Sequence, residues 1–126
     1  MQIEHIALWT NDIERLKQFY ETWFGAQAGE RYVNETKRFT SYFLCFAGGA
    51  RVELMMKAGV GGAAAPPTLG YAHLALSTGS AAAVNTLTEQ LRQAGIPIID
   101  GPRWTGDGYY EAVILDPDGN QIEITI

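Results

Sequence analysis

The sequence predicts an α+β fold built from two tandem βαβββ modules, and three observations predict it. The hexapeptides HIALWT (residues 5–10) and HLALST (residues 73–78) agree at four of six positions and contain the only two histidines of the chain. Each is followed by a stretch with apolar residues at helical spacing. Each half then closes in the same way, with an apolar run, a turn and an alternating run.

Taken in order, the first strand of each module is the hexapeptide itself. Ile6 and Leu8 alternate with His5, Ala7 and Trp9, as Leu74 and Leu76 alternate with His73, Ala75 and Ser77. The first helix follows in NDIERLKQFYETWFG, where Ile13, Leu16, Phe19, Tyr20, Trp23 and Phe24 make the stripe assigned to the core. Thr10 or Asn11 is its expected N-cap and Gly25 its C′ residue. The second helix lies in GSAAAVNTLTEQLRQAGIP, with Ser80 as N-cap, a stripe of Val84, Leu87, Leu91 and Ala94, Gly95 at C′ and Pro97 beyond.

One strand is expected near residues 28–34 and its equivalent near 96–104. The closing hairpins are FTSYFLCF, AGGA and RVELMM in the first half, and YYEAVIL, DPDGN and QIEITI in the second. GPRWTGDGYY, upstream of the second hairpin, reads as a hairpin or a mobile lid. The Gly-, Ala- and Pro-rich stretch after Lys57 is the linker, so one domain, 1–126, divides into a module 1–57, a linker 58–68 and a module 69–126.

Composition narrows the function classes. At 126 residues and 47% apolar content the chain can bury a core without staples. Cys45 stands alone, which rules out an internal disulfide and fits a reducing compartment; its place in the run reads as core or cavity wall. No basic segment precedes an apolar one at the start, and no apolar run approaches the ~18 residues that span a bilayer. The expectation is a soluble cytoplasmic protein with no membrane partner. The net charge is −5, with Lys and Arg scattered singly, so nucleic acid is not an expected partner either.

Strand parity decides which residues share a surface. Val52, Leu54 and Met56 alternate with Arg51, Glu53, Met55 and Lys57, and Ile122, Ile124 and Ile126 alternate with Gln121, Glu123 and Thr125. The aliphatic set needs a helix to cover it, which leaves one His and one Glu per half on the opposite face. The spacing is nearly equal, 48 residues from His5 to Glu53 and 50 from His73 to Glu123. Two neutral nitrogens and two anionic oxygens suit one borderline divalent ion such as Zn, Ni, Co, Fe(II) or Mn.

These residues carry a family resemblance. The paired modules, the histidines in EHIAL and AHLAL, the Glu in VELM and the closing LDPDGNQIEI resemble the vicinal oxygen chelate superfamily, which groups glyoxalases, bleomycin-resistance proteins and dioxygenases. The resemblance runs along essentially the whole chain. It implies a cup-shaped, barrel-like mixed sheet with helices outside, and a homodimer that often exchanges modules. The set His5, Glu53, His73 and Glu123 is similar to the glyoxalase I pattern, which implies a metal-dependent lyase or isomerase acting on a small substrate with adjacent oxygens.

In such chemistry a bound cation polarises a carbonyl and stabilises the enediolate left by proton removal. Glu53 and Glu123 are the candidate bases, with the preference on Glu123. Trp9, Arg51, Met55 and Lys57 share their face and are the candidate substrate contacts. Glutathione-using members resemble one another in carrying Arg four residues after the first His ligand and Asn four after the first Glu. Trp9 and Lys57 stand at those places, which points away from a glutathione adduct. Two other classes stay open: an Fe(II) dioxygenase-type enzyme, and a metal-free binding dimer of the bleomycin-resistance kind.

Overall fold

The computed structural model describes residues 1–62 and 69–126. The chain forms two compact units, Met1–Gly62 and Ala63–Ile126. Part of the expected linker, residues 63–68, lies outside the described residues.

The first unit runs β1 (His5–Trp9), α1 (Ile13–Phe24), β2 (Gln27–Ala28), β3 (Tyr32–Asn34), β4 (Phe39–Cys45) and β5 (Arg51–Lys57). Its sheet has the order β1-β5-β4-β2, with β3 also paired to β4. β1 runs parallel to β5 and the other pairs are antiparallel. The single strand expected near residues 28–34 is therefore two short ones. Gly29 still donates its N–H to Phe43 O at 2.9 Å, but the chain leaves the ladder until Tyr32 pairs with Ser41.

The second unit runs β6 (Leu74–Ser77), α2 (Ala81–Gln93), β7 (Ile98–Trp104), β8 (Tyr110–Leu115) and β9 (Gln121–Thr125). Its sheet order, β6-β9-β8-β7, repeats the first arrangement with a parallel pair at the start. GPRWTGDGYY forms the β7–β8 hairpin, closed by Thr105 N–H to Tyr109 O at 2.8 Å and by packing of Trp104 on Tyr110. The register shifts between Ile98 and Arg103, and Gly101 sits in that irregular stretch at φ 78°. A Cβ there would overlap Glu111 O and come within 2.9 Å of Ala112 Cα, so only glycine fits.

One face of each sheet is covered by its own helix. Leu44, Val52 and Leu54 pack with Ile13, Leu16 and Tyr20, and Ala112, Ile114, Ile122 and Ile124 pack with Val84 and Leu91. Trp23 and Phe24, assigned to the core from the stripe, are only partly buried. In α2 the buried stripe is Val84, Thr88 and Leu91; Leu87 is half-buried and Ala94 is exposed at the C-cap. Thr88 tolerates full burial because its hydroxyl donates to Val84 O at 2.7 Å.

The caps differ in one place from the sequence reading. Ser80 caps α2, accepting from Ala83 N–H at 3.2 Å, and Gly25 ends α1 in the left-handed region at φ 64°. The α1 N-cap is Asp12, not Thr10 or Asn11. Asp12 accepts from Arg15 N–H at 3.0 Å, while Thr10 Oγ1 accepts from Asp12 N–H and closes the turn that precedes the helix. Cys45 is exposed at the end of β4, on the parity of Phe43, so the core half of the expectation does not hold.

Candidate functional site

The face left uncovered by α1 carries the predicted residues of the first unit. Parallel register sets His5 beside Arg51, Ala7 beside Glu53 and Trp9 beside Met55. Antiparallel register then sets Glu53 beside Phe43 and Lys57 beside Phe39. His5 Nε2 lies 4.0 Å from Glu53 Oε2, with the Glu53 side chain 15% exposed and the imidazole 40%. Phe43 takes the edge of the His5 ring at 5.3 Å and carries the Arg51 guanidinium over its face at 4.2 Å. Glu4 hydrogen-bonds both His5 Nδ1 and Arg51 Nη2.

Farther along the same face, Trp9 is half-exposed and meets the Phe39 ring edge-on at 6.4 Å. Met55 is half-buried beside it and Lys57 is exposed at the strand end. Arg51 is thus engaged by Glu4 and Phe43, while Trp9 and Lys57 present an aromatic surface and a cation.

The second unit repeats the pairing more tightly. Ala75 sits beside Glu123 and Val113 on its other side. His73, one residue ahead of β6, places Nε2 3.2 Å from Glu123 Oε2. Two groups that the sequence reading passed over also belong to these faces. Glu4 was signalled only by its adjacency to His5. Glu111 is placed by parity, since it lies beside Thr125 and two residues from the Val113 that faces Glu123. Burial pushes the Glu111 carboxyl up, and repulsion from Glu123 adds to the effect against the opposing Arg103 and His73. Arg103 itself is held by Asp100 through Nε at 2.8 Å.

The structure therefore joins His5 to Glu53 within one unit and His73 to Glu123 within the other. Among the described residues, no group of three or more His, Cys, Asp or Glu side chains is placed to hold a metal. The donor chemistry of each pair nonetheless fits a divalent ion. Two donors ~2.1 Å from one ion at right to tetrahedral angles lie roughly 3.0–3.4 Å apart. The 3.2 Å pair meets this as it stands, and the 4.0 Å pair is wider than this span.

A family model described as Glyoxalase/Bleomycin resistance protein/Dioxygenase superfamily matches residues 2–124. The chain belongs to this superfamily. A virulence protein of Salmonella typhimurium strain LT2 is 32% identical over an alignment covering 98% of this chain and 83% of the relative. The trypanothione-dependent glyoxalase I of Leishmania major superposes with a TM-score of 0.79 at 23% identity, covering 99% of this chain and 86% of that one. A glyoxalase/bleomycin resistance protein/dioxygenase domain from Frankia sp. EAN1pec gives 0.86 at 18% identity, covering 100% and 97%. At such identities these two likenesses speak for the fold. The superfamily's mixed α+β architecture is the one described above. No helix is long and apolar enough to cross a membrane among the described residues.

Proposed function

We propose that the protein is a divalent-metal-dependent lyase or isomerase of the glyoxalase I type, which moves a proton between adjacent carbons of a small substrate with vicinal oxygens. One observation carries the reading: each unit sets its only histidine against a glutamate on its uncovered sheet face, His5 with Glu53 and His73 with Glu123. His5, Glu53, His73 and Glu123 hold one ion of Zn, Ni or Co. When bound, the ion polarises a substrate carbonyl and stabilises negative charge on the neighbouring oxygen.

The remaining work falls to the chain's own side chains. Glu123 Oε2 removes the proton from the carbon next to the carbonyl, and Glu53 shares in its return. Glu111 keeps a second carboxylate near Glu123, and burial together with that repulsion raises the Glu111 carboxyl. Trp9 and Met55 offer the substrate an apolar wall, and Lys57 offers a cation for an anionic end. The Trp9 side chain cannot reproduce the arginine contacts of glutathione-using relatives, so the substrate is a small molecule other than a glutathione adduct. The functional form is a cytoplasmic homodimer.

Elemental analysis of protein purified without chelator tests the reading first. About one Zn, Ni or Co per chain is expected, lost in His5→Ala and in His73→Ala. Metal content unchanged in both variants would exclude the site. Glu123→Gln should keep the metal while slowing exchange of the substrate's carbon-bound proton with deuterated water by about 10²–10⁴-fold. Bound iron with ring-opening activity would support the dioxygenase-type alternative, and ligand binding without any metal the bleomycin-resistance type.

A further inference from the structure

The two histidines are equivalent by register but not by surroundings. The residue before His5 is Glu4, and the residue before His73 is Ala72. The Glu4 carboxylate is divided between two neighbours, Oε2 accepting from His5 Nδ1 and Oε1 from Arg51 Nη2. The backbone reinforces the contact, since Arg51 N–H donates to Glu4 O at 3.0 Å. Arg51 lies over the Phe43 ring, and the same ring meets His5 edge-on, so Glu4, His5, Arg51 and Phe43 form a closed circuit of contacts.

A neutral imidazole carries one N–H. With a carboxylate accepting at Nδ1 the proton resides there, and Nε2 keeps its lone pair on the side of Glu53. A carboxylate on the far nitrogen fixes both the ring orientation and the basicity of the ligating one. His73 has no such support. Its Nε2 touches Glu123, and no partner for its Nδ1 is found among the described residues.

We propose that Glu4, clamped by Arg51, is a positioning residue that fixes His5 in its Nδ1–H tautomer and leaves Nε2 as the ligating atom, so that the two halves of the metal site are unequally prepared. The inference rests on the metal-site reading for its purpose but not for its test. His5 is then the pre-oriented imidazole of the two. His73, whose Nε2 alone is engaged among the described residues, by Glu123, is the adaptable one.

Long-range ¹⁵N–¹H spectra of the histidine rings in the metal-free full chain decide the matter at about pH 8, above the ordinary histidine range. His5 should show the Nδ1–H pattern, and His73, whose Nε2 faces the Glu123 carboxylate, the Nε2–H-rich pattern. Glu4→Ala should convert His5 to the His73 pattern without moving His73. Glu4→Gln, which keeps an acceptor, should retain much of the wild-type signal, and Arg51→Gln should give an intermediate. Zinc affinity measured against a competing chelator should fall about 10–100-fold in Glu4→Ala. Glu4 is 58% exposed, so these variants are expected to keep the native circular dichroism spectrum.

An Nε2–H tautomer for His5 in the wild type, or a tautomer unchanged by Glu4→Ala, overturns the inference. The two readings fail separately. Zinc binding indifferent to His5→Ala removes the metal site while leaving the Glu4 result standing. Zinc binding that needs His5 but ignores Glu4→Ala removes the positioning role alone.

Discussion

At the scale of single residues, Glu111 shows what the uncovered face costs the fold. Its carboxyl is raised by burial first and by Glu123 and Asp107 next, with Arg103 and His73 opposing. A folded value above the unfolded one means that its contribution to stability is fully present below the ordinary carboxylate range and is lost as pH rises through the folded value. At neutral pH the ionised group therefore works against folding. Glu111→Gln should raise the midpoint of thermal unfolding at pH 7, with the gain vanishing by about pH 3, below the usual glutamate value. A gain of the same size at both pH values would assign the effect to packing. Glu4 and Glu111 were not legible from sequence as neighbours of the His–Glu pairs because a lone Glu on or beside a strand is ordinarily a solvated group. Only the register that sets Glu111 near Glu123, and the bond from His5 to Glu4, distinguish them. The pairing of His5 with Glu53 and of His73 with Glu123 was legible because the repeat put the same two residue types at the same place twice.

At the scale of elements, alternation and capping carried most of the reading. β1 and β6 alternate exposed and half-buried residues as period two requires, and Ser80 and Gly25 stand where helix ends need them. The misses have local causes. Asp12 displaced Thr10 and Asn11 as cap because the Thr10 hydroxyl was already used by Asp12 N–H. Thr88 entered the α2 core because its hydroxyl had a carbonyl one turn back, which sequence hydropathy does not register. The break between β2 and β3 depends on how β4 pairs with both, a non-local matter. The cap itself can be weighed. Ser80→Ala removes the acceptor for Ala83 N–H and should lower stability by about 1 kcal/mol, within a range of roughly 0.5–2. A urea midpoint shifted at unchanged slope is the expected result. A shift under a few tenths of a kcal/mol would mean that water replaces the cap fully.

At the scale of the whole molecule, each unit buries its own helix against its own sheet, so each half of the proposed site rests on a separate core. The sequence showed this division through the repeat, since a βαβββ pattern that recurs carries its own covered face each time. It did not show which halves cooperate, because pairing within one chain and pairing across two use the same donors. Mixing two broken variants separates these arrangements. His5→Ala spoils the first unit's pair and His73→Ala the second's. In a homodimer with exchanged modules, a mixed dimer has one site missing both histidines and one site missing neither. Random reassociation of equal amounts makes half the dimers mixed, so about a quarter of wild-type metal and activity should return after co-refolding. With each site built by one chain, every site in every dimer keeps a missing histidine and nothing returns. A regained quarter assigns the site to exchanged modules, one of the two arrangements open to a homodimer, and no recovery assigns it to a single chain. Metal content and proton exchange read on the same mixture must rise together, because a site regained for one is regained for the other.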